Sequence, residues 1–282
     1  MSVSTIKIVV DSSADTLELE GVDFACASLK ILTEDKEYVD DASLDVAEMA
    51  EALSRYKGKS STACPGVGDW LATFGNAEQV VCVTITSNLS GSYNAACIAK
   101  QDYEEQYPGR QVYVLDSLSA GPELRLLLEK LRELILEGHS FAEICATIRE
   151  YAATTGLLFM LESMRNLANN GRVNPLVAKA AGILGIRAVG KASDVGTLEL
   201  LNKCRGKEKA LAAIVENMKN LGHTGGRVRI SHCGNESVAR TLGDMIRQHF
   251  VRSQVEIYPA RGLCSFYAEQ GGLLVGFEKA KA

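Results

Sequence analysis

Residues 80–93 have the sequence VVCVTITSNLSGSY, an apolar run that ends in a hydroxyl-rich elbow and continues into a helix-like segment. The run over residues 80–85 is typical of a buried strand, and the helix is predicted to begin near Gly91. At a helix start the first backbone N–H groups lack partners and the helix dipole is positive. The elbow over residues 86–93 is therefore predicted to hold an anionic group, either a carboxylate or a phosphate, on Ser and Thr hydroxyls.

Strands and helices are predicted to alternate around this stretch. The predicted strands of the first half lie at residues 6–10, 24–32, 80–85 and 111–115. The predicted helices lie at 44–56 with Ser43 as cap, at 91–107, at 123–137 and at 141–154, where Ser140 and Glu143 form a capping box. A polar loop is expected over 58–68. Such alternation indicates an α/β fold with a mainly parallel sheet.

The order of elements changes after residue 155. Predicted strands lie at 157–161, 183–189, 197–202, 227–231, 254–258 and 272–277, and predicted helices at 176–182, 207–221 and 237–250. Strands outnumber helices here, which is typical of an α+β domain. We therefore predict two domains, an N-terminal α/β domain over residues 1–155 and a C-terminal α+β domain over 156–282, a division that the chain length also favours.

The composition is that of a globular protein with a mild negative charge. Of the 282 residues 46% are apolar and 23% are charged, and the net charge of −5 disfavours contacts with phosphate backbones, so nucleic acid is not expected as a partner. No apolar stretch reaches the roughly 18–20 residues that span a bilayer, and no signal-peptide pattern is present. The 8 Cys include no Cys-x-x-Cys pair, which argues against a disulfide framework or a structural metal. We expect a cytoplasmic protein without a metal or cofactor.

Common catalytic signatures are absent from the sequence. There is no Gly-x-Ser-x-Gly elbow, no His-Glu-x-x-His and no Walker loop, and the four histidines lie far apart along the chain. Hydroxyl clusters instead follow predicted strands, where ligands of open α/β sheets bind. These clusters lie at residues 11–15, 60–62, 86–93 and 116–117. The residues alone do not decide whether Ser90 caps a helix or contacts a ligand. For the two Asp-Ser pairs they favour capping of the loop backbone.

These clusters, in this order, resemble the DegV family. The matching motifs are Asp11-Ser12-Ser13-Ala14-Asp15, Thr62-Ala63-Cys64-Pro65, Ser87-Asn88-Leu89-Ser90-Gly91-Ser92-Tyr93, Asp116-Ser117, Asn170-Gly171-Arg172-Val173, Ile186-Arg187 and Lys203-Cys204-Arg205-Gly206-Lys207-Glu208-Lys209-Ala210. Each motif alone is weak, but together they span nearly the whole chain. The resemblance implies a two-domain α/β lipid carrier that holds one long-chain fatty acid, such as palmitate, in a cleft between its domains.

The resemblance also assigns roles to individual residues. It implies that Thr62 and Ser90 bind the fatty-acid carboxylate and that Arg172 lies near the cleft. Supporting positions at the head group or cleft are Gly91, Ser12, Ser117 and Tyr267. In relatives that work with a fatty-acid kinase, an Arg that matches Arg205 helps to dock that kinase.

The sequence departs from the family pattern at three positions. Ala63 and Gly66 replace Ser residues of the Thr62 loop, which removes two possible head-group hydroxyls. Tyr267 stands where the family often has a His, counted back from the glycine-rich turn at 271–277. A phenol donates a hydrogen bond to a carboxylate but does not carry the charge of an imidazolium. Head-group chemistry or coupling to a kinase is therefore expected to differ.

The leading hypothesis is a non-catalytic, monomeric carrier of one long-chain fatty acid, with a fatty-acid kinase as its candidate partner. The alternative is an enzyme that acts on a small acidic substrate, either a hydrolase that uses Ser90 or a phosphoryl-transfer protein. No His is placed to activate Ser90 and no nucleotide loop is present, which argues against that alternative. A third possibility, a structural or protein-interaction module, predicts that no small-molecule pocket exists.

Overall fold

A four-stranded parallel sheet forms the centre of the first half of the computed structural model, which describes residues 6–175 and 185–280. Its strand order is β2-β1-β6-β7, with β1 at Ile6–Asp11, β2 at Asp23–Ala27, β6 at Gln79–Thr84 and β7 at Gln111–Asp116. Apolar residues run almost without break through β1 and β6 because helices cover both faces. The predicted α/β fold with a mainly parallel sheet is confirmed.

Alternate residues of this sheet enter two separate cores. Val9 packs with Trp70 and Tyr103, which lie on α2 (Val67–Phe74) and α3 (Ser92–Gln106). Ile8 packs on the opposite face with α4 (Pro122–Leu136) and α5 (Phe141–Ala152). This alternation follows from the two-residue period of a strand. The predicted capping box of α5 is confirmed, since Glu143 N–H donates to Ser140 Oγ at 3.4 Å and Ser140 N–H donates to Glu143 Oε2 at 2.8 Å.

A small antiparallel sheet corrects two of the sequence predictions. Its order is β4-β3-β5, with β3 at Lys30–Leu32, β4 at Glu37–Val39 and β5 at Ser61–Ala63. One strand was expected over residues 24–32, but the chain leaves the parallel sheet after Ala27. Strand β2 pairs in parallel with β1, whereas β3 pairs antiparallel with β4 and β5, so the two segments belong to different sheets. The polar loop expected over 58–68 likewise contains β5.

The first helix begins later than its pattern suggests. Helix α1 spans Val46–Arg55, and its cap is Asp45, whose Oδ1 accepts the Glu48 N–H at 2.9 Å. The expectation of Ser43 as the cap is wrong, because the Ser43 hydroxyl donates to Asp41 Oδ1 at 2.6 Å. Both Asp and Ser are good caps, so composition alone does not choose between them.

A six-stranded mixed sheet forms the second half. Its order is β10-β9-β8-β13-β11-β12, with β8 at Thr155–Leu161, β9 at Ile186–Ala192, β10 at Leu198–Arg205, β11 at Gly226–His232, β12 at Ser253–Pro259 and β13 at Leu273–Glu278. Helices α7 (Lys207–Asn220) and α8 (Glu236–His249) cover one face, where Leu158 and Met160 point into their core. The predicted boundary between residues 155 and 156 stays a prediction; β8, the first strand of this sheet along the chain, begins at Thr155.

In the described part of the chain, two further helices lie between these strands. They are α6 (Arg165–Asn169) and α9 (Gly262–Ala268), and neither was predicted, nor was α2. The predicted helix at 176–182 falls outside the described residues. Among the described residues, no helix is both long and apolar enough to cross a bilayer.

Helix α4 joins the two halves, because it contacts strands of both large sheets. A Cβ at Gly276 on β13 would fall 2.6 Å from the backbone nitrogen of Glu123. Only glycine permits so close an approach of strand and helix. The two halves therefore meet along α4, and the cavity described next is lined by β8 of the second half and by β5 and connecting segments of the first.

Candidate functional site

A cavity of about 320 Å³ lies between the two halves of the molecule. Its volume is at the low end of the roughly 300–1,000 Å³ that ligand pockets occupy. Most of its wall is apolar, and both halves contribute. The lining residues are Leu29, Thr62, Ala63, Cys64, Ile85, Leu89, Ser90, Gly91 and Ala120 from the first half, and Leu157, Phe159, Leu161, Leu167, Arg172, Leu198, Leu263, Cys264, Tyr267, Ala268 and Leu274 from the second.

Thr62 and Tyr267 meet at the polar end of this cavity. Thr62 lies at the centre of β5, opposite Ile31 of β3, and Tyr267 lies near the end of α9. Their hydroxyl oxygens are 2.7 Å apart, which is a hydrogen bond between residues 205 positions apart in the chain. Burial raises the pKa of the Tyr267 phenol, opposed by the Thr62 hydrogen bond and the Arg172 charge. The phenol therefore stays neutral and can donate one hydrogen bond.

Ser90 and Gly91 form the start of α3 on the same wall. The Ser90 Oγ accepts the Ser92 N–H at 3.2 Å, so this hydroxyl caps its own backbone. A hydroxyl that accepts one bond still has its proton to donate. Ser90 also lines the cavity, so the geometry allows capping and ligand contact at once.

Arg172 brings a positive charge to the polar end. Its Nε donates to the Leu89 carbonyl at 3.2 Å, and its Nη1 donates to the Asn170 carbonyl. The guanidinium carbon lies 6.0 Å from the centre of the Tyr267 ring. These contacts fix the charge beside the phenol, where it favours an anionic ligand.

Ser12 and Ser117, which were predicted to support the head group or cleft, are not among the residues that line the cavity. The Ser12 Oγ accepts the Leu29 N–H at 3.0 Å, and the Ser117 hydroxyl donates to the Ser119 carbonyl at 3.1 Å. Both side chains are buried in loop contacts, which bears out the expectation of loop capping for the Asp-Ser pairs. Asp11 has the same kind of role, because its Oδ2 accepts from Ile85 N–H at 3.0 Å and from the Ser92 hydroxyl at 2.6 Å.

Arg205 also lies apart from the cavity wall. It is the last residue of β10, an edge strand of the six-stranded sheet, and it is exposed. A long charged side chain on an exposed edge is available to another molecule.

The apolar wall of the cavity was not identified from the sequence. On β8 the side chains of Leu157, Phe159 and Leu161 face the cavity, while the residues between them face α7 and α8. The run 157–161 is apolar throughout, so its pattern does not separate the two faces. Helix α9 was missed because it has only seven residues and starts with glycine.

Carboxylate and imidazole side chains are absent from the described part of the cavity wall. Among the described residues, its lining includes no Asp, Glu or His. Within residues 6–175 and 185–280, no cluster of His, Cys, Asp or Glu is arranged to hold a metal ion. The arrangement is instead suited to a ligand with an acidic head and an apolar tail.

A family model described as an uncharacterised protein of the DegV family matches residues 5–280. This chain belongs to the DegV family. A DegV domain-containing protein from Streptococcus pneumoniae is 44% identical over 278 residues, which cover 97% of this chain and 99% of that protein.

Solved structures of DegV proteins match the whole fold. A DegV family protein from Eubacterium eligens, loaded with heptadecanoic acid, aligns with a TM-score of 0.96 at 43% identity and covers 98% of this chain and 100% of its own. The fatty acid kinase B3 protein of Streptococcus pneumoniae, loaded with linoleic acid, aligns with a TM-score of 0.95 at 44% identity, covering 97% and 99% of the two chains. This DegV chain therefore shares the fold of proteins crystallised with fatty acids.

Proposed function

We propose that this DegV protein is a non-catalytic carrier that binds one long-chain fatty acid. The observation that supports this most is the cavity itself, which has hydroxyls and one cation at one end and apolar side chains along the rest. A fatty acid has the same division, an anionic head on an apolar tail. The fatty acids bound by the Eubacterium eligens and Streptococcus pneumoniae relatives support the same ligand class.

The carboxylate binds between Thr62, Ser90 and Tyr267 in this proposal. Each hydroxyl has one proton to donate, and a carboxylate has two oxygens that accept several bonds. The Thr62 and Tyr267 hydroxyls, now 2.7 Å apart, reorient so that both donate to the ligand. Arg172 supplies a positive charge without a direct contact, and Gly91 leaves room beside the head group.

The tail supplies most of the binding free energy. Burial of one methylene contributes about 0.8 kcal/mol, so a 16-carbon tail gains roughly 10 kcal/mol before ordering costs. Hydrogen bonds to the head contribute about 1 kcal/mol each, because water offers the same bonds. The polar end therefore orients the ligand, while the apolar wall holds it.

A kinase that phosphorylates the bound carboxylate is the candidate partner. The Streptococcus pneumoniae relative is named as a fatty acid kinase B3 protein. Exposed Arg205 is the candidate docking residue, and Tyr267 in place of an imidazole would alter the coupling. We also propose that the chain acts as a monomer in the cytoplasm and that its two domains meet near residue 155.

Native mass spectrometry of the purified protein tests the carrier proposal. One adduct with the mass of a long-chain fatty acid is expected, and a fluorescent fatty acid should be displaced by palmitate in a one-to-one titration. If no adduct and no displacement are found, the proposal fails. Turnover of acyl esters that disappears in Ser90→Ala would instead favour the hydrolase.

A further inference from the structure

The start of helix α9 is held by two carboxylates from the other half of the molecule. The Arg261 N–H donates to Asp15 Oδ1 at 2.8 Å. The next two backbone groups, Gly262 N–H and Leu263 N–H, donate to Asp40 Oδ1 at 3.0 Å and Asp40 Oδ2 at 2.9 Å. Three consecutive N–H groups of the second half thus end on side chains of the first.

Asp40 is fully buried and rigidly placed for this contact. It follows β4, and its own N–H donates to the Leu29 carbonyl at 2.9 Å. The Arg261 Nε lies 3.6 Å from Asp40 Oδ1, which adds a partial charge balance. Burial raises the pKa of the Asp40 carboxyl, opposed mainly by the two backbone hydrogen bonds, so the carboxylate depends on these donors.

Helix α9 approaches Asp40 closely because its first residue is glycine. A Cβ at Gly262 would lie 2.8 Å from the Asp40 carboxyl carbon and 2.7 Å from Leu44 Cδ2. Both distances are shorter than a normal carbon contact, so any larger residue would push the helix away. The carboxylate and the glycine together determine where α9 begins.

The same short helix presents the polar and apolar residues of the cavity. Leu263, Cys264, Tyr267 and Ala268 all line it. A helix of seven residues has little stability of its own, so its position depends on tertiary contacts. Tyr267 lies four residues after Leu263, about one turn along α9, so any shift of the first turn moves its hydroxyl relative to Thr62.

We propose that Asp40 is a positioning residue for the head-group site, because its hold on the first turn of α9 sets the place at which the Tyr267 hydroxyl meets Thr62. This inference rests on the proposed fatty-acid carrier function. It assigns to Asp40 no contact with the ligand, since Asp40 does not line the cavity. The effect on binding that we propose for the Asp40 carboxylate passes through its contacts with α9.

A double-mutant cycle between Asp40→Asn and Tyr267→Phe tests the proposal. Asparagine keeps the size of the side chain but accepts with only one oxygen, so one α9 N–H loses its partner. Palmitate affinity is expected to fall about 3- to 10-fold in each single variant, the range that one hydrogen bond gives. The double variant is expected to bind within about twofold of Tyr267→Phe alone, because coupled residues do not add.

Asp41→Asn is the matched control. The Asp41 side chain accepts from Ser43 N–H and the Ser43 hydroxyl, so its replacement should leave palmitate affinity unchanged. Additive losses in the double variant, or wild-type affinity in Asp40→Asn, would overturn the positioning role.

Fluorine NMR of ligand-free protein with 3-fluorotyrosine keeps this test independent of fatty-acid binding. Tyr267→Phe identifies the resonance of residue 267 among the 9 tyrosines. Asp40→Asn and Gly262→Ala should both shift or broaden that resonance, whereas Asp41→Asn should not. If the wild type binds no fatty acid, the carrier proposal fails. If instead the resonance of residue 267 is unmoved in both Asp40→Asn and Gly262→Ala, the role of Asp40 itself is contradicted.

Discussion

The two ends of the cavity differ in how they are built. At the polar end, Thr62 and Tyr267 approach from different halves and meet through one hydrogen bond of 2.7 Å. At the apolar end, Phe159 is only 1% exposed and belongs to a continuous packed cluster. The hydroxyls of the polar end can thus be changed one at a time, whereas the apolar end, against which the Tyr267 ring also packs, is part of the core.

This difference separates orientation from affinity. Net hydrogen-bond free energies in water are small, while burial of apolar surface accumulates with area. Changes at the apolar end should therefore alter affinity and stability strongly. Changes at the polar end should alter them weakly and mainly affect how the head group is presented.

The largest expected effect comes from shortening the ligand. Replacing a 16-carbon acid by a 10-carbon acid removes six methylenes at about 0.8 kcal/mol each, so binding should weaken by up to ~5 kcal/mol. Competition against a fluorescent fatty acid measures this series. The slope per methylene should be the same in Thr62→Val, since that residue contacts only the head. A flat series would show that the apolar wall does not hold the tail.

Removal of the Phe159 ring should lower the free energy of unfolding by nearly as much as shortening the ligand lowers the free energy of binding. Phe159→Ala is expected to lower the free energy of unfolding by about 3–5 kcal/mol, because the site belongs to a packed core. Urea denaturation of ligand-free protein measures the change. Val251→Ala is the control, since that side chain is 88% exposed, and it should be near neutral. Equal stability of Phe159→Ala and wild type would mean that the apolar end is not part of the core.

The carboxylate contacts between the halves should make stability depend on pH. Burial raises the pKa of Asp15 from its ordinary value of 3.8 to about 7. Between these values the folded protein holds a proton that the unfolded chain releases, so this contribution to stability is full below pH 4 and is lost as pH rises towards 7 and above. The slope from this group is up to about 1.4 kcal/mol per pH unit.

Asp15→Asn isolates that contribution. The difference in free energy of unfolding between Asp15→Asn and wild type should favour the variant more at pH 8 than at pH 5, as measured by urea denaturation at both pH values. Glu18→Gln, an exposed neighbour, should leave the difference unchanged. Parallel pH profiles of wild type and Asp15→Asn would contradict the raised pKa.

The smallest effects are expected for single hydroxyls of the polar end. Ser90→Ala and Thr62→Val should each weaken palmitate binding by about 1 kcal/mol, since each removes one hydrogen bond. Calorimetric titration measures the loss, and thermal unfolding should stay cooperative. Ser87→Ala, which does not line the cavity, is the control. Unchanged affinity in both variants would mean that these hydroxyls serve only their own backbone.

The hydroxyl-rich elbow of the polar end is predicted by local sequence patterns, whereas the roles of Thr62 and Arg172 are implied only by the family resemblance. Hydroxyls such as Ser90 follow a strand and precede a helix, and both signals are local. The partner of Thr62 is 205 residues away, so its pairing with Tyr267 depends on tertiary structure that no local pattern encodes. Residue types alone likewise did not separate Ser12, which serves its own loop, from the hydroxyls that reach the cavity.

The apolar end was harder to predict from the sequence because its hydrophobic pattern is ambiguous. Residues 157–161 are apolar at every position, so the side that faces α7 and the side that faces the cavity look alike. Helix α2, which does not line the cavity, begins within Gly66-Val67-Gly68, where glycine lowers helix propensity, so the sequence gives no clear signal for its start. In both cases packing overrides the local preference.

The order of strands in the second sheet has a consequence for biosynthesis. Strand β13 lies between β8 and β11, although it follows both in the chain. Until residue 278 has emerged and inserted, the sheet exists as two unconnected pieces, and such long-range pairing forms slowly. The lining of the cavity is complete only once Leu274 on β13 is in place. A nascent chain that lacks β13 should therefore be unable to bind a fatty acid, and binding should begin only after this strand has been synthesised.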